Sequence, residues 1–228
     1  MCGRFSLTSD PNDLREAFPW LNIPEQISPR YNIAPSQPVA AVPNDGSNKL
    51  DFFQWGLVPC WAKDPTIGNR MINARAETLA EKPSFKTAFR RRRCLILADG
   101  FYEWKQEVGM KTKVPMYIHL KSGAPFAFAG LWERWHSKDG SMVLSCTIIT
   151  TEPNSLMQSI HNRMPVIMPR EKYDLWLSPE EVDNKELLKL LIPYQDIDME
   201  AYPVSRKVNS PNNDVRACIE PAETIPLV

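Results

Sequence analysis

Short apolar or alternating runs dominate this chain: PVAAV, LDFFQW, CLILADGFYEW, VPMYIHL, PFAFAGLW, MVLSCTIIT and MPVIM. Each is bounded by Gly, Pro, Asp or Asn, the pattern of strands separated by turns. Helical signals are fewer. SDPNDLREAF has a capping Ser or Asp before Pro11, KPSFKTAF predicts a short helix running into four arginines, and EPNSLMQSI predicts another ending near His161. In SPEEVDNKELLKLLI the pair Ser178 and Glu181 has capping-box spacing, with Pro179 at the first helical position and Leu187, Leu188 and Leu191 on one side. The segment RYNIAPSQP reads as a rigid loop. Strands do not alternate regularly with long helices. The pattern therefore predicts an α+β fold, a mainly antiparallel, barrel-like β core with flanking short helices. Twenty-one prolines spread through the sequence argue in the same direction, against a helical bundle.

No Gly/Ser-rich or charged linker interrupts the 228 residues, so a single domain over 1–228 is expected. No run of about 18 apolar residues is present, and the N-terminus lacks a signal-peptide layout. A cytoplasmic protein without membrane contact, and a monomer, is expected. The five cysteines are odd in number, widely spaced and form no C-x-x-C pair. That pattern favours free thiols in a reducing compartment over a metal site or disulfides. No cofactor or metal is expected, and neither a dinucleotide-binding nor a phosphate-binding glycine loop occurs.

The formal net charge is zero, but charge is unevenly spread. Eight basic residues face two acidic ones between Arg70 and Arg93, and twelve acidic face six basic from Glu171 onward. Such asymmetry suits an anionic partner on one face; a solvated helix end at Arg90–Arg93 explains it equally well.

The N-terminal stretch MCGRF raises the sharpest chemical question. Aminopeptidases remove Met1 when the next residue is small. Cys2 would then carry a free amine and a thiol, with reference pKa values near ~7.8 and ~8.5. The amine of such a 1,2-aminothiol attacks an aldehyde to give an imine, and the thiol closes a five-membered ring. An internal cysteine lacks the amine. The alternatives are a hydrolytic nucleophile that uses its own amine as base, or an incidental small residue.

Four further segments carry candidate chemistry. In MINARAET, alternation sets Asn73, Arg75 and Glu77 on one face of an extended stretch, fit for a phosphate or sugar oxygen, or else a surface Arg–Glu pair. Glu103 lies between Tyr102 and Trp104, where a carboxylate loses hydration and suits proton transfer, unless it faces solvent. His161, beside Arg163, is the best acid/base histidine, whereas His119 and His136 read as structural or solvated. FQWGLVPCW offers Trp55 and Trp61 as core or as a stacking platform for unpaired bases.

Taken in order, MCGRF, RYNIAPSQ, WGLVPCW, NARAET, ADGFYEW and HNRMPVI resemble the SRAP family, named for SOS response-associated peptidases. The resemblance runs from Met1 to YPVSRKVNS near the end. It departs from the family at Asn162, where an acidic residue is common. It implies a barrel-like α+β fold with a basic channel for single-stranded DNA. It also implies a covalent thiazolidine link between processed Cys2 and the open-ring aldehyde of an abasic site, with crosslink reversal and weak strand cleavage as accompanying reactions. By motif, the catalytic residues would be Cys2, Asn73, Glu103 and His161. Arg4, Arg70, Arg75, Arg163, Trp55 and Trp61 would contact DNA. Three rival readings remain: an N-terminal-nucleophile amidohydrolase, a peptidase that cuts off its own N-terminal segment, and a noncatalytic single-strand DNA binder. The amidohydrolase would need glutamine-binding motifs that are absent, and with only Met1 before Cys2 self-cleavage is not required.

Overall fold

The computed structural model describes residues 2–107, 109 and 111–222. Strand β1 (Phe5–Leu7) is followed by helix α1 (Pro11–Ala17), then β2 (Arg30–Ile33), β3 (Pro38–Pro43), β4 (Asp51–Trp55) and β5 (Asn73–Arg75). Helix α2 (Lys86–Arg91) leads into β6 (Arg93–Ala98), β7 (Gly100–Lys105), β8 (Val114–Leu120), β9 (Phe126–His136) and β10 (Met142–Thr151). The rest comprises α3 (Ser155–Gln158), β11 (Met164–Pro165), β12 (Ile167–Met168), α4 (Tyr173–Trp176), α5 (Asn184–Lys189) and β13 (Met199–Pro203).

The fold is α+β, as the pattern predicts. Strands β10, β4, β3, β6 and β9 pair in that order, and β9 pairs back to β10, which closes a five-stranded barrel. Strands β5, β11 and β12 extend its rim. A second, antiparallel sheet runs β13-β8-β7-β1-β2. Between the strands among the described residues, the pairings of β10 with β4 and with β5 are parallel and the rest antiparallel. Strands β6, β9 and β10 bury residues on both faces: Leu95, Leu97 and Leu131 share one face of the barrel wall, Phe128, Cys146 and Ile148 the other, and none has exposed surface.

Aromatic packing fixes the N-terminal strand to the barrel. The Phe5 ring meets Trp55 edge-on at 5.2 Å and Phe128 at 5.7 Å, and is itself fully buried. Such pairs contribute about 0.5–1.5 kcal/mol each beyond area burial. Behind Trp55 the chain turns at Gly56, whose φ of +131° and 2.6 Å approach of a would-be Cβ to the Gly68 carbonyl leave no room for a side chain. Asp99, between β6 and β7, accepts from the Thr8 and Ser9 amides and from the Ser6 hydroxyl (2.5 Å), locking the far end of β1.

Four local expectations change. The helix expected from Ser178 begins instead after Asp183, which caps Lys185. The reason is tertiary: the Ser178 carbonyl accepts from Arg93 and Asn44, and Glu181 pairs with Arg90, so the capping box is dismantled. RYNIAPSQP is half strand, since β2 pairs with β1. MPVIM divides into two short strands, one on β10 and one on β9. The arginine run is not one solvated end. Arg90 and Arg91 are exposed, Arg92 pairs with Glu133 at 2.7 Å, and Arg93 is fully buried. The Arg93 guanidinium donates to the carbonyls of Trp176, Phe89, Arg90 and Ser178.

Among the described residues no helix is long and apolar enough to cross a membrane, and no group of three or more His, Cys, Asp or Glu could hold a metal ion. Truncating Arg93 would remove a donor from each of those carbonyls, of which Ser178 keeps Asn44. Arg93→Ala is expected to lower stability by about 3 kcal/mol, whereas Arg91→Ala changes it by less than about 0.5 kcal/mol. Urea denaturation of the two variants measures the difference.

Candidate functional site

The site forms where the N-terminal segment passes between the antiparallel sheet and the rim of the barrel. Phe5 sits opposite Phe101 and Ser6 opposite Gly100. Continuing that antiparallel register sets Gly3 level with Glu103, and the Arg4 carbonyl accepts from the Tyr102 amide at 3.0 Å. Glu103 therefore lies beside the Cys2–Gly3 segment, with only 3% of its surface exposed.

The barrel supplies the other wall. Along β10, Ile148 pairs with Asn73 and Thr150 with Arg75. Asn73 opens β5 and donates from Nδ2 to the main-chain carbonyl of Cys2 at 2.7 Å. Its Oδ1 is buried and has no hydrogen-bond partner among the described residues. After one turn of α3, capped by Asn154, the chain reaches His161, whose Nε2 lies 3.9 Å from Glu103 Oε2. Four residues far apart in sequence, Cys2, Asn73, Glu103 and His161, thus converge.

Cys2 itself has no exposed surface, and its Sγ lies 3.8 Å from the Arg4 carbonyl. Burial, together with the charge of Glu103, pushes the thiol far above the ordinary cysteine range. The side chain is held as a neutral thiol rather than a thiolate.

The expected DNA contacts separate into two groups. Arg70 and Arg75 are exposed, and Trp61 shows 57% of its surface. Trp55, by contrast, is fully buried and donates its indole N–H to the Ile72 carbonyl, so its ring is closed to a base. Arg4 is engaged inside the protein. It donates to Asn32 Oδ1 at 2.8 Å and to the carbonyls of Val208 (2.7 Å) and Asn209 (3.2 Å), bracing the N-terminal segment against the C-terminal one. Arg163 forks onto Glu77 at 2.6 and 3.0 Å and onto the Thr150 carbonyl at 2.7 Å. The alternation expected for NARAET stops at Arg75: Glu77 lies on a 3₁₀ turn, Ala76–Thr78, and reaches across to Arg163 rather than continuing a strand face. That hydrogen bonding holds the Glu77 carboxyl below the usual range.

Sequence reading passed over Asn32 and Asp214. Asn32 is buried, and besides receiving Arg4 it donates to the carbonyls of Val208, Ser210 and Asn213. Asp214 accepts from the Tyr31 and Asn32 amides and from Arg30. Their positions within RYNIAPSQ and beyond YPVSRKVNS were visible, but a clamp across more than 170 residues leaves no local pattern. His119 stacks on Tyr117 at 5.5 Å and pairs with Glu200 at 3.3 Å.

Cys60 is the exposed thiol among the five free cysteines, and the other four are buried. Iodoacetamide at pH 8 is expected to alkylate Cys60 first and Cys2 at least about tenfold more slowly, because the thiolate is the reactive form. Peptide mass mapping over time decides; equal rates at Cys2 and Cys60 would contradict the buried, neutral thiol.

Comparisons with known proteins agree with this architecture. Residues 1–211 match the family described as SOS response associated peptidase (SRAP). The chain is 53% identical over 226 residues to the abasic site processing protein YoqW of Bacillus subtilis, covering 96% of this chain and 99% of that one. It is 32% identical over 274 residues to the abasic site processing protein HMCES of Rattus norvegicus, covering 99% and 77% respectively. A crystal structure of a protein from Bacteroides thetaiotaomicron superposes with a TM-score of 0.86 at 28% identity, covering 97% of this chain and all of that one. With the family match running over residues 1–211 and more than half of the residues identical to a relative covered almost end to end, the chain belongs to the SRAP family.

Proposed function

We propose that this protein processes abasic sites in single-stranded DNA by forming a covalent link through Cys2 after removal of Met1. The observation that carries the reading is the convergence on Cys2. Asn73 grips its carbonyl at 2.7 Å, while Glu103 lies level with the Cys2–Gly3 segment and 3.9 Å from His161. The relatives' names, which refer to abasic sites, support the same substrate.

Burial, which raises the thiol, favours an order in which the amine acts before the sulfur. A buried thiol that resists ionisation is a poor first nucleophile. The α-amine acts first: its lone pair adds to C1′ of the open-ring sugar, and the hydroxyl formed there takes a proton and leaves as water. Sγ then adds to the same carbon, the thiol proton passes to nitrogen, and a thiazolidine ring closes. One water is lost overall, and no oxidant or reductant takes part.

His161 serves the ring oxygen when the sugar opens, and Glu103 carries protons between the amine, the departing water and the thiol. The open Oδ1 of Asn73 is available to a sugar hydroxyl or to the amine. The same imine permits reversal and slow strand cleavage. Outside the pocket, exposed Arg70 and Arg75 supply phosphate contacts and Trp61 a stacking surface, which tolerate any base sequence.

The test mixes processed protein with an oligonucleotide carrying one abasic site and resolves the products in denaturant. Wild type is expected to give a retained band and Cys2→Ala none. Cys2→Ser keeps the amine but loses the ring-closing thiol, so its band should persist only after borohydride reduction of the imine. Undiminished crosslinking by Cys2→Ala would overturn the reading, and so would release of wild-type protein by denaturant.

A further inference from the structure

The contacts around His161 point past the four convergent residues to a fifth that touches none of the reacting atoms. The main-chain N–H of Arg163 donates to His161 Nδ1 at 3.1 Å. The same nitrogen is 3.3 Å from the Arg163 carbonyl oxygen. These two contacts demand opposite things of Nδ1: the first needs a lone pair, the second a proton. An amide N–H can only donate, so a proton on Nδ1 would meet the amide hydrogen head-on. The lone pair must face Arg163, and in the neutral imidazole the proton resides on Nε2. Nε2 is the nitrogen on the Glu103 side of the ring.

The Arg163 amide can select the tautomer only if the backbone at 163 is held still. Its side chain does the holding. The side chain, 13% exposed, makes a two-pronged pair with Glu77 plus a bond to the Thr150 carbonyl through its guanidinium. Its Nε is buried without a partner among the described residues, so the grip consists of Glu77 on one side and β10 on the other. Glu77 in turn follows directly from β5, the strand that opens with Asn73. One short segment thereby sets both the Cys2 carbonyl, through Asn73, and the His161 ring, through Glu77 and Arg163.

Resting on the function proposed above, we propose that Glu77 is a positioning residue: acting through Arg163, it fixes His161 as the tautomer that presents an N–H to the sugar. His161 then meets the closed hemiacetal as an acid, able to protonate the ring oxygen as the ring opens. Arg163 serves mainly as the link in this chain, since its fork is already taken.

The experiment uses the processed full-length protein labelled with ¹⁵N-histidine, and long-range ¹H–¹⁵N spectra that distinguish the two tautomers. Wild-type His161 is expected to show an unprotonated Nδ1 and a protonated Nε2. Glu77→Ala is expected to populate the other tautomer and to slow single-turnover crosslinking about tenfold, with affinity for intact single-stranded DNA unchanged within about twofold. Glu77→Asp, which keeps the charge, should restore most of both. Glu77→Gln, similar in size, covers the case in which the alanine variant does not fold. A wild-type His161 protonated on Nδ1 would overturn the proposal, as would folded Glu77 variants with unchanged tautomer and rate. If wild type forms no adduct, the proposed function fails, while the spectra still decide the role of Glu77.

Discussion

Strand β10 changes partners halfway along, and the site depends on that change. Its first half closes the barrel between β9 and β4. Past Cys146, where β4 ends, its edge is taken over by β5, and at Thr150 and Thr151 β11 joins the opposite side. The handover sets Asn73 and Arg75 on one flank of β10 and Arg163, just ahead of β11, within reach of the other. A barrel closed along its full length would have no place for either segment. Thr150 marks the junction: its main chain pairs with Arg75 and Pro165, and its carbonyl receives Arg163.

Against this rim the second sheet delivers Cys2 and Glu103. The delivery is over-determined. Phe5 packs into the barrel core, Asp99 ties the segment beyond β1, and Arg4 fastens the preceding turn to Asn32 and the 208–209 carbonyls. A chain terminus ordinarily frays. Here three kinds of contact, aromatic, carboxylate and guanidinium, immobilise the residues that follow Cys2. Such rigidity fits the proposed chemistry, which requires an amine and a thiol to meet one carbon in turn.

Much of this was legible in the sequence. The alternating runs become the barrel and sheet strands, with CLILADGFYEW divided at Asp99 into β6 and β7 so that Glu103 stands on the second strand. Local composition marks Asn73, Glu103 and His161 as polar groups in packable surroundings, and only the fold joins them to Cys2. What could not be read was tertiary override. Ser178 and Glu181 have perfect capping spacing, yet buried Arg93 and exposed Arg90 claim them. Trp55 and Trp61 sit six residues apart in one motif, and only burial separates a core residue from a surface one. The family resemblance implies DNA contacts at Arg4 and Arg163; in the structure their forks are engaged by Asn32, Glu77 and main-chain carbonyls, partners that no local pattern announces.

In the proposed reaction the N-terminal amine and thiol of Cys2 meet a single aldehyde carbon. Intact mass spectrometry of the purified adduct tests this most directly. The predicted mass is that of the protein without Met1 plus the abasic oligonucleotide minus one water, unchanged by borohydride because the closed ring contains no imine. An adduct that still carries Met1, or one that gains two hydrogens on reduction, would contradict it.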